Sequence, residues 1–121
     1  MRTEPVQILV VDDSRDAADA LALMLRRSGY QVRTAYTAEE ALAAVAAGVP
    51  HCVLFDVVMP GMGGDELCRR LRAEHGDDIV LIAVSGFSDD QRAKASFRLA
   101  DHFFTKPVEP AALARVLQPL E

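Results

Sequence analysis

Five side chains that can bind a cation or a phosphate follow apolar segments of the chain. They are two adjacent aspartates, a third aspartate, a serine and a lysine, at Asp12, Asp13, Asp56, Ser85 and Lys106. Three carboxylates held together repel one another, and a divalent ion removes this conflict. Carboxylate oxygens suit Mg²⁺, which prefers a few acidic ligands, water and a phosphate oxygen to a complete protein cage. A carboxylate can also attack phosphorus, so Asp56 is a candidate nucleophile, with Lys106 and Ser85 stabilising the phosphoryl oxygens.

Asp56 lies within an almost continuously apolar segment at residues 52–59. This pattern is typical of a strand buried on both faces of a parallel sheet, although a buried helix segment has the same periodicity. Pro60 removes a backbone donor and Gly61 allows a positive φ, so we predict that the strand ends near Met59. Asp56 is then placed at the carboxyl end of a strand, where open α/β sheets have their functional sites.

The rest of the chain alternates between strand and helix patterns. Strands are predicted at residues 6–11, 31–35, 52–59, 79–84 and 102–105. Helices are predicted from Arg15 to about Gly29, from Thr37 to about Gly48, over residues 65–74, from Ser88 to about Leu99, and from Pro110 onward. Such alternation predicts a parallel sheet covered by helices on both faces. Because right-handed crossovers bring all strand carboxyl ends to one edge, the five polar side chains should meet there.

Each of these polar residues has a simpler explanation when it is taken alone. Asp12 and Asp13 could cap the following helix, because aspartate accepts hydrogen bonds from free amides at a helix start. Ser85 could be a turn residue, and Lys106 could be a solvated surface lysine. Only their shared position at one edge of a sheet favours a functional site.

The composition restricts the class of protein. A length of 121 residues fits one domain with a substantial core. The formal net charge of -5 does not indicate a general nucleic-acid-binding surface. No apolar segment reaches the roughly 20 residues of a membrane span, and the first residues lack a signal-peptide core, so we expect a cytoplasmic protein. Cys52 and Cys68 lack metal-ligand spacing and are expected to be reduced and mostly buried.

Four motifs, in their order and spacing, resemble those of the receiver domains of two-component response regulators, the CheY-like superfamily. The motifs are Val10-Val11-Asp12-Asp13, Asp56 with Met59-Pro60-Gly61-Met62-Gly64, Val84-Ser85-Gly86, and Thr105-Lys106-Pro107. The resemblance covers essentially the whole chain and implies a single receiver domain over residues 1–121. It implies an α/β fold, a doubly wound (βα)5 domain with a five-stranded parallel sheet in the flavodoxin-like order 2-1-3-4-5. It also implies a signalling module and not an enzyme.

The resemblance assigns a phosphoacceptor and a metal site. Asp56 would accept a phosphoryl group from a phosphohistidine on a sensor histidine kinase or a histidine phosphotransfer protein. Asp13, Asp56 and the backbone carbonyl of Val58 would bind Mg²⁺, with Asp12 helping through water. The catalytic group would therefore combine the Asp56 nucleophile with Ser85 and Lys106, which would hold the phosphoryl oxygens.

The resemblance also implies a conformational switch. Phosphorylation would pull Ser85 toward the phosphate and let Phe103 turn inward. This change would remodel the surface formed by the helix predicted at residues 88–99 and the last strand. That surface, with the last helix, would bind a downstream protein, and neither direct nucleic-acid binding nor membrane insertion is expected. Many relatives carry tyrosine where this chain has Phe103, so a readout that depends on a phenolic hydrogen bond is not supported.

Two other functions fit part of the pattern. A constitutive interaction domain would keep the fold without phosphotransfer, but such relatives usually lack the acceptor aspartate, the acidic pair or the lysine, and this chain has all of them. An aspartate-based phosphatase of the haloacid dehalogenase kind needs a second acid two residues after the nucleophile, where this chain has Val58. Neither Val58 nor Phe87, two residues beyond Ser85, can activate water, so we expect a long-lived phosphoryl group.

Overall fold

The computed structural model describes residues 4–86 and 98–121 of the chain. The strands are β1 (Gln7–Val11), β2 (Gln31–Ala35), β3 (Cys52–Asp56), β4 (Val80–Ser85) and β5 (His102–Thr105). The α-helices are α1 (Arg15–Arg27), α2 (Ala38–Ala47), α3 (Gly64–His75) and α4 (Pro110–Leu117), with short 3₁₀ helices at Gly76–Asp78 and Gln118–Leu120. Most of the helix predicted from Ser88 to about Leu99, together with Phe87, falls outside the described residues. Among the described residues, no helix has the length and apolar character needed to cross a membrane.

The five strands are all parallel and form one sheet in the order β2-β1-β3-β4-β5, which confirms the expected flavodoxin-like topology. The register pairs Asp56 with Val84 and Ser85 with Thr105. Because the strands run in the same direction, their carboxyl ends share one edge of the sheet. Asp56, Ser85 and Lys106, the residue after β5, therefore lie along that edge.

Two apolar layers cover the sheet, one on each face. The first joins the sheet to α2 and α3 and includes Leu9, Val53, Leu81, Ala41 and Leu71. The second joins the sheet to α1 and α4 and includes Ile8, Leu54, Ile82, Ala22 and Leu113. Successive strand residues point to opposite faces, so continuous apolar strands fill both layers. This arrangement confirms the predicted sheet with helices on both sides.

Helix α1 begins at the acidic turn and rests on the sheet with small residues. The Ser14 side chain caps it by accepting a hydrogen bond from the Ala17 amide at 3.3 Å. Its buried residues are Ala18, Ala22 and Leu25. Leu21 and Met24, which fit the helical apolar pattern in the sequence, are only partly buried at the margin of this layer. The helix therefore leaves an apolar strip beside the carboxyl edge of the sheet.

Strand β3 ends at Asp56, so the prediction that it extends to near Met59 is wrong. The Val57 amide still donates to the Val84 carbonyl at 2.9 Å, but the Val58 side chain is 65% exposed. Met59 is buried because the loop folds back over the layer beneath α2 and α3. An apolar run predicts burial, and burial alone does not distinguish a strand from a returning loop.

Both cysteines are buried and free, as predicted. Cys52 belongs to the layer of α1 and α4, and Cys68 belongs to the layer of α2 and α3, so they lie on opposite faces of the sheet. Burial raises the pKa of both thiols, to about 11 for Cys68, so both are protonated at neutral pH. They act as small apolar packing residues.

Candidate functional site

Three carboxylates lie together at the carboxyl edge of the sheet. Asp12 and Asp13 follow β1, and Asp56 is the last residue of β3. One oxygen from each of them lies within 4.8 Å of the other two. Asp12 is 7% exposed and Asp56 is 9% exposed, whereas Asp13 is open to solvent. The turn after β1 is held by the Ser14 amide, which donates to Asp12 Oδ1 at 3.0 Å.

Lys106 connects this acidic cluster to β5. Its Nζ donates to Asp12 Oδ2 at 3.0 Å and to Asp56 Oδ2 at 3.3 Å. Its backbone amide donates to the Ser85 carbonyl at 2.7 Å and so extends the pairing of β4 with β5 by one residue. The peptide bond between Lys106 and Pro107 is cis. The last residues of β4 and β5, Ser85 and Thr105, are paired in the sheet, so Lys106 follows directly at the carboxyl edge and its ammonium group reaches the carboxylates.

The electrostatics of the cluster leave negative charge uncompensated. Burial raises the pKa of Asp56, the Lys106 ammonium lowers it, and the Asp12 charge raises it again, so that the pKa stays above its ordinary value. Burial lowers the pKa of Lys106, but the hydrogen bond to Asp12 and the charges of both aspartates raise this pKa above its ordinary value. Two nearly buried carboxylates thus share one ammonium group, and the site can accept further positive charge.

The remaining predicted site residues are Ser85, Phe103 and Val58. Ser85 is 2% exposed at the end of β4. Phe103, on β5, is partly buried and packs against the layer of α2 and α3. The Val58 amide lies 3.4 Å from Asp56 Oδ1. The structure thus brings together the ionic side chains Asp12, Asp13, Asp56 and Lys106 and places Ser85 on the neighbouring strand end; their roles stay predictions.

Gly64 allows α3 to begin against the end of β3. A Cβ atom at this position would lie 2.5 Å from the Asp56 carbonyl oxygen and 3.1 Å from Phe55 Cδ2. Side chains do not approach a backbone oxygen this closely, so a larger residue would displace the turn that carries Val58. The family resemblance included Gly64 as part of a motif, and this close approach is the physical reason for glycine there.

The acidic cluster fits the Mg²⁺ site that the resemblance implies. Three carboxylate oxygens within reach of one ion are hard ligands of the kind that Mg²⁺ prefers, with water completing the shell. Asp12 and Asp56 are nearly buried with only the Lys106 ammonium bridging them among the described residues, so a divalent cation would relieve their repulsion. The donor set therefore fits the magnesium site that the resemblance implies, with Asp12, Asp13 and Asp56 around it.

An apolar groove adjoins the acidic cluster between α1 and the segment after β5. The cavity has a volume of about 560 Å³, and Asp12, Asp56 and Lys106 contribute to its wall. Its apolar lining outside the sheet, called the α1 groove below, is Ala17, Ala20, Leu21, Met24, Pro107 and Val108. The sequence analysis did not predict this groove, because Leu21 and Met24 fit the pattern of an ordinary amphipathic helix. The sequence does contain a signal for it, a second apolar row on α1. Its members Ala17, Leu21 and Met24 each lie one residue before a member of the buried row Ala18, Ala22 and Leu25.

The fold and the site define a class and then a family. A parallel sheet in this strand order, with an acidic cluster and a lysine at its carboxyl edge, is the arrangement of CheY-like α/β domains. Residues 8–118 match the response regulator receiver domain family, and the chain belongs to this family. It is therefore a receiver domain, a signalling module of two-component systems.

Similar proteins include response regulators and the receiver domain of a histidine kinase. The response regulator MprA of Mycolicibacterium vanbaalenii is 39% identical over 104 residues, which are 85% of this chain and 45% of that protein. A receiver domain of a signal transduction histidine kinase from Syntrophus aciditrophicus has a TM-score of 0.83 at 32% identity, covering 95% of this chain and 89% of that one. Response regulator TrrA of Thermotoga maritima, in complex with Mg²⁺-BeF, has a TM-score of 0.85 at 30% identity, covering 96% and 99%. The chain thus spans less than half the length of MprA.

Proposed function

We propose that this receiver domain accepts a phosphoryl group on Asp56 from a phosphohistidine of a histidine kinase or phosphotransfer protein in the cytoplasm. The observation that carries the proposal is the contact of Lys106 Nζ with both Asp12 and Asp56, beside the exposed Asp13. A carboxylate nucleophile, a second acidic group for a cation, and a fixed ammonium are the parts that phosphoryl transfer requires. The domain acts as a stoichiometric acceptor and not as a turnover enzyme.

The chemical step exchanges one bond to phosphorus for another. An oxygen of Asp56 bonds to phosphorus while the phosphorus–nitrogen bond of the phosphohistidine breaks. The imidazole leaves with the electron pair of that bond and takes up a proton on the same nitrogen. Lys106 and Ser85 hold the phosphoryl oxygens, where a fixed ammonium and a hydroxyl stabilise negative charge without reorganising.

A bound Mg²⁺ would complete the charge balance of the site. Asp13, Asp56 and the backbone carbonyl of Val58 would hold it, with Asp12 acting through water. When bound, Mg²⁺ supplies positive charge to the phosphoryl oxygens. The TrrA receiver, solved with Mg²⁺-BeF, is a similar protein in which this ion and a fluoride of beryllium are bound together.

The α1 groove receives the phosphodonor protein. The groove shares its wall with Asp56 and Lys106, so an apolar surface seated there would bring a phosphohistidine to the carboxylate. Leu21 and Met24 are only partly buried and are available for such a contact. Apolar burial beside the reacting group supplies binding energy and orientation together.

The output surface of the domain includes the edge of the sheet that carries Phe103. Phosphorylation draws Ser85 toward the phosphate, and Phe103 turns further into the layer of α2 and α3, which it already contacts. A downstream protein recognises the altered surface of β5, α4 and the helix predicted at residues 88–99. The exposed Val58 side chain offers no group that could activate water, so the aspartyl phosphate is long-lived.

Labelling by acetyl phosphate tests the acceptor directly. We expect Asp56→Asn, which keeps the shape and removes the nucleophile, to abolish Mg²⁺-dependent labelling measured as a mass increase of the intact protein. Asp78→Asn, at an exposed position away from the cluster, should be labelled like the wild type. Normal labelling of Asp56→Asn would reject Asp56 as the acceptor. Absence of labelling and of Mg²⁺ binding in the wild type would favour a constitutive interaction domain.

A further inference from the structure

Arg72, on α3, uses its guanidinium group to join the chain that enters β5 to the segment between α3 and β4. Its Nε and Nη2 donate to the Leu99 carbonyl at 3.0 and 2.6 Å, and Nη2 also donates to Asp101 Oδ2 at 2.8 Å. Its Nη1 donates to the carbonyls of Gly76 and Ile79 at 2.7 and 3.3 Å. A guanidinium has five N–H donors, and here each one has an acceptor. The Arg72 side chain is 14% exposed, whereas that of Asp101 is 39% exposed, so the guanidinium group is mostly covered and its carboxylate partner lies at the surface.

Asp101, which Arg72 contacts, is itself hydrogen-bonded to β4. Its Oδ2 accepts a hydrogen bond from the Leu81 amide at 2.8 Å, and its own amide donates to the Leu81 carbonyl at 2.7 Å. Asp101 therefore bonds both backbone groups of Leu81, one residue before the paired stretch that begins with Ile82 and His102. These contacts fix which residue of β5 lies opposite which residue of β4.

Strand β5 needs such a restraint because its own side chains specify the register weakly. It has four residues, lies at the edge of the described sheet, and none of its residues is fully buried. Phe103 packs against one core layer and Phe104 against the other. A slip of one residue would place one phenylalanine where the other belongs, so the apolar pattern opposes the slip poorly.

The register of β5 determines where Lys106 lies. Lys106 directly follows the strand, and its amide bonds to the Ser85 carbonyl at the far end of the same ladder. A slip of one residue would turn the Lys106 side chain toward the other face of the sheet, away from Asp12 and Asp56. We propose that Arg72 and Asp101 are positioning residues that lock the register of β5 and thereby place the Lys106 ammonium in the acidic cluster. Its consequence for phosphorylation rests on the proposed function.

Amide hydrogen exchange tests this inference without a phosphodonor. In Asp101→Ala we expect the protection factor of the Lys106 amide to fall about tenfold or more, which corresponds to the loss of a hydrogen bond to a charged group. The Leu9 amide in β1 is the internal reference, and its protection should fall less. Asp101→Asn, which keeps an oxygen for the Leu81 amide, should show a smaller loss and serves as the variant if alanine prevents folding. Equal losses at Lys106 and Leu9, or no loss at Lys106, would overturn the proposal.

Two arginine-to-lysine substitutions on α3 distinguish the contacts of Arg72 from general effects of changing this helix. Arg72→Lys keeps the charge but cannot span the four acceptors, so it should lower Lys106 protection in the same way. Arg69→Lys makes the same change at a position 62% exposed, where the guanidinium bonds to Glu66, and should leave Lys106 unchanged. Equal exchange in the two variants would reject a special role of Arg72.

The affinity for fluoroberyllate in the presence of Mg²⁺ tests whether the register of β5 affects the phosphorylation site. We expect its apparent dissociation constant to rise about tenfold in Asp101→Ala, through loss of a charged contact from a displaced Lys106, and to stay unchanged in Arg69→Lys. Unchanged binding in an Asp101→Ala protein with low Lys106 protection would remove the link to phosphorylation. If the wild type binds no fluoroberyllate, the proposed function fails, while the exchange data still decide the register inference.

Discussion

Asp56 combines two properties that oppose each other in the absence of a cation. It must be ionised to act as a nucleophile, yet burial and the Asp12 charge raise its pKa despite the nearby Lys106 ammonium. Its folded pKa therefore lies above the value of about 3.9 for an unfolded chain. A carboxyl group whose pKa is higher in the folded than in the unfolded protein costs no stability at pH values below the unfolded pKa. As pH rises through the folded pKa, its ionisation lowers the free energy of unfolding.

The stability of Asp56→Asn should show this effect. Without divalent cations at about pH 7, we expect the variant to melt at a higher temperature than the wild type, because asparagine carries no buried charge. The difference should shrink as pH falls toward about 4, because the folded-state carboxyl, with its raised pKa, becomes increasingly protonated and loses its buried charge. Thermal denaturation monitored by circular dichroism in chelator at both pH values measures it.

A surface substitution controls for net charge. Asp78→Asn removes the same unit of charge from an exposed position, and we expect its melting temperature to stay close to that of the wild type. Equal stabilisation by Asp56→Asn and Asp78→Asn would assign the effect to the overall charge of -5 and not to the site.

Helix α1 has two adjacent apolar rows with separate uses. The small row of Ala18 and Ala22, with Leu25, is buried against the sheet, which brings the helix close to β1 and its acidic turn. The second row, with Leu21 and Met24, lines the α1 groove. The close approach of the first row places the second beside Asp56.

A charge introduced into the α1 groove should separate protein donors from small-molecule donors. We expect Leu21→Arg to slow transfer from the fastest donor in a panel of phosphorylated histidine kinases by about tenfold or more, as for the loss of a central interface contact. Labelling by acetyl phosphate should stay within about twofold of the wild type, because a small donor needs no docking surface. Timed transfer of radiolabelled phosphate measures both rates.

Leu23→Arg provides the matched control on the same helix. Leu23 is 48% exposed and does not line the groove, so this change adds the same charge without blocking it. Transfer from the kinase should therefore stay near the wild-type rate. If Leu21→Arg and Leu23→Arg slow kinase transfer equally, the groove is not the docking surface.

At the scale of the whole molecule, Asp12, Asp13 and Asp56 place three carboxylates at one edge of the sheet. Ligand binding to the folded state stabilises a protein by mass action, adding about 2.7 kcal/mol when the free ligand is at about a hundredfold its dissociation constant. We expect Mg²⁺ to raise the melting temperature of the wild type and to have less than about half this effect in Asp13→Asn, which loses an exposed carboxylate ligand. Thermal shift measurements over a Mg²⁺ titration at constant ionic strength follow this change.

Asp16→Asn distinguishes ligation from general electrostatics. Asp16 is exposed in the first turn of α1, three residues after Asp13, and lies outside the acidic cluster. We expect its response to Mg²⁺ to match that of the wild type. A Mg²⁺ effect that falls equally in Asp13→Asn and Asp16→Asn would indicate screening of negative charge and not a specific site.

Local sequence patterns were sufficient to predict the order of elements and the residues that meet at the carboxyl edge. Apolar periodicity and turn residues are local properties, and alternating strands and helices with right-handed crossovers leave few topologies. For that reason the convergence of Asp12, Asp56 and Lys106 agrees with expectation, whereas the strand order, which is also confirmed, was implied by the family resemblance. The chemistry of these residues, including the phosphoacceptor role of Asp56, stays a prediction drawn from their types and from the family.

Three-dimensional packing determined the features that depend on which surfaces meet. It ended β3 at Asp56 because the following apolar residues cover the core as a loop. It turned the second row of α1 into a groove because the small row alone fits against the sheet. It also joined Arg72 to Asp101 across α3 and β5, a contact between residues whose spacing carries no local signal. Such contacts arise from packing between elements distant in the chain, and local sequence patterns do not encode them.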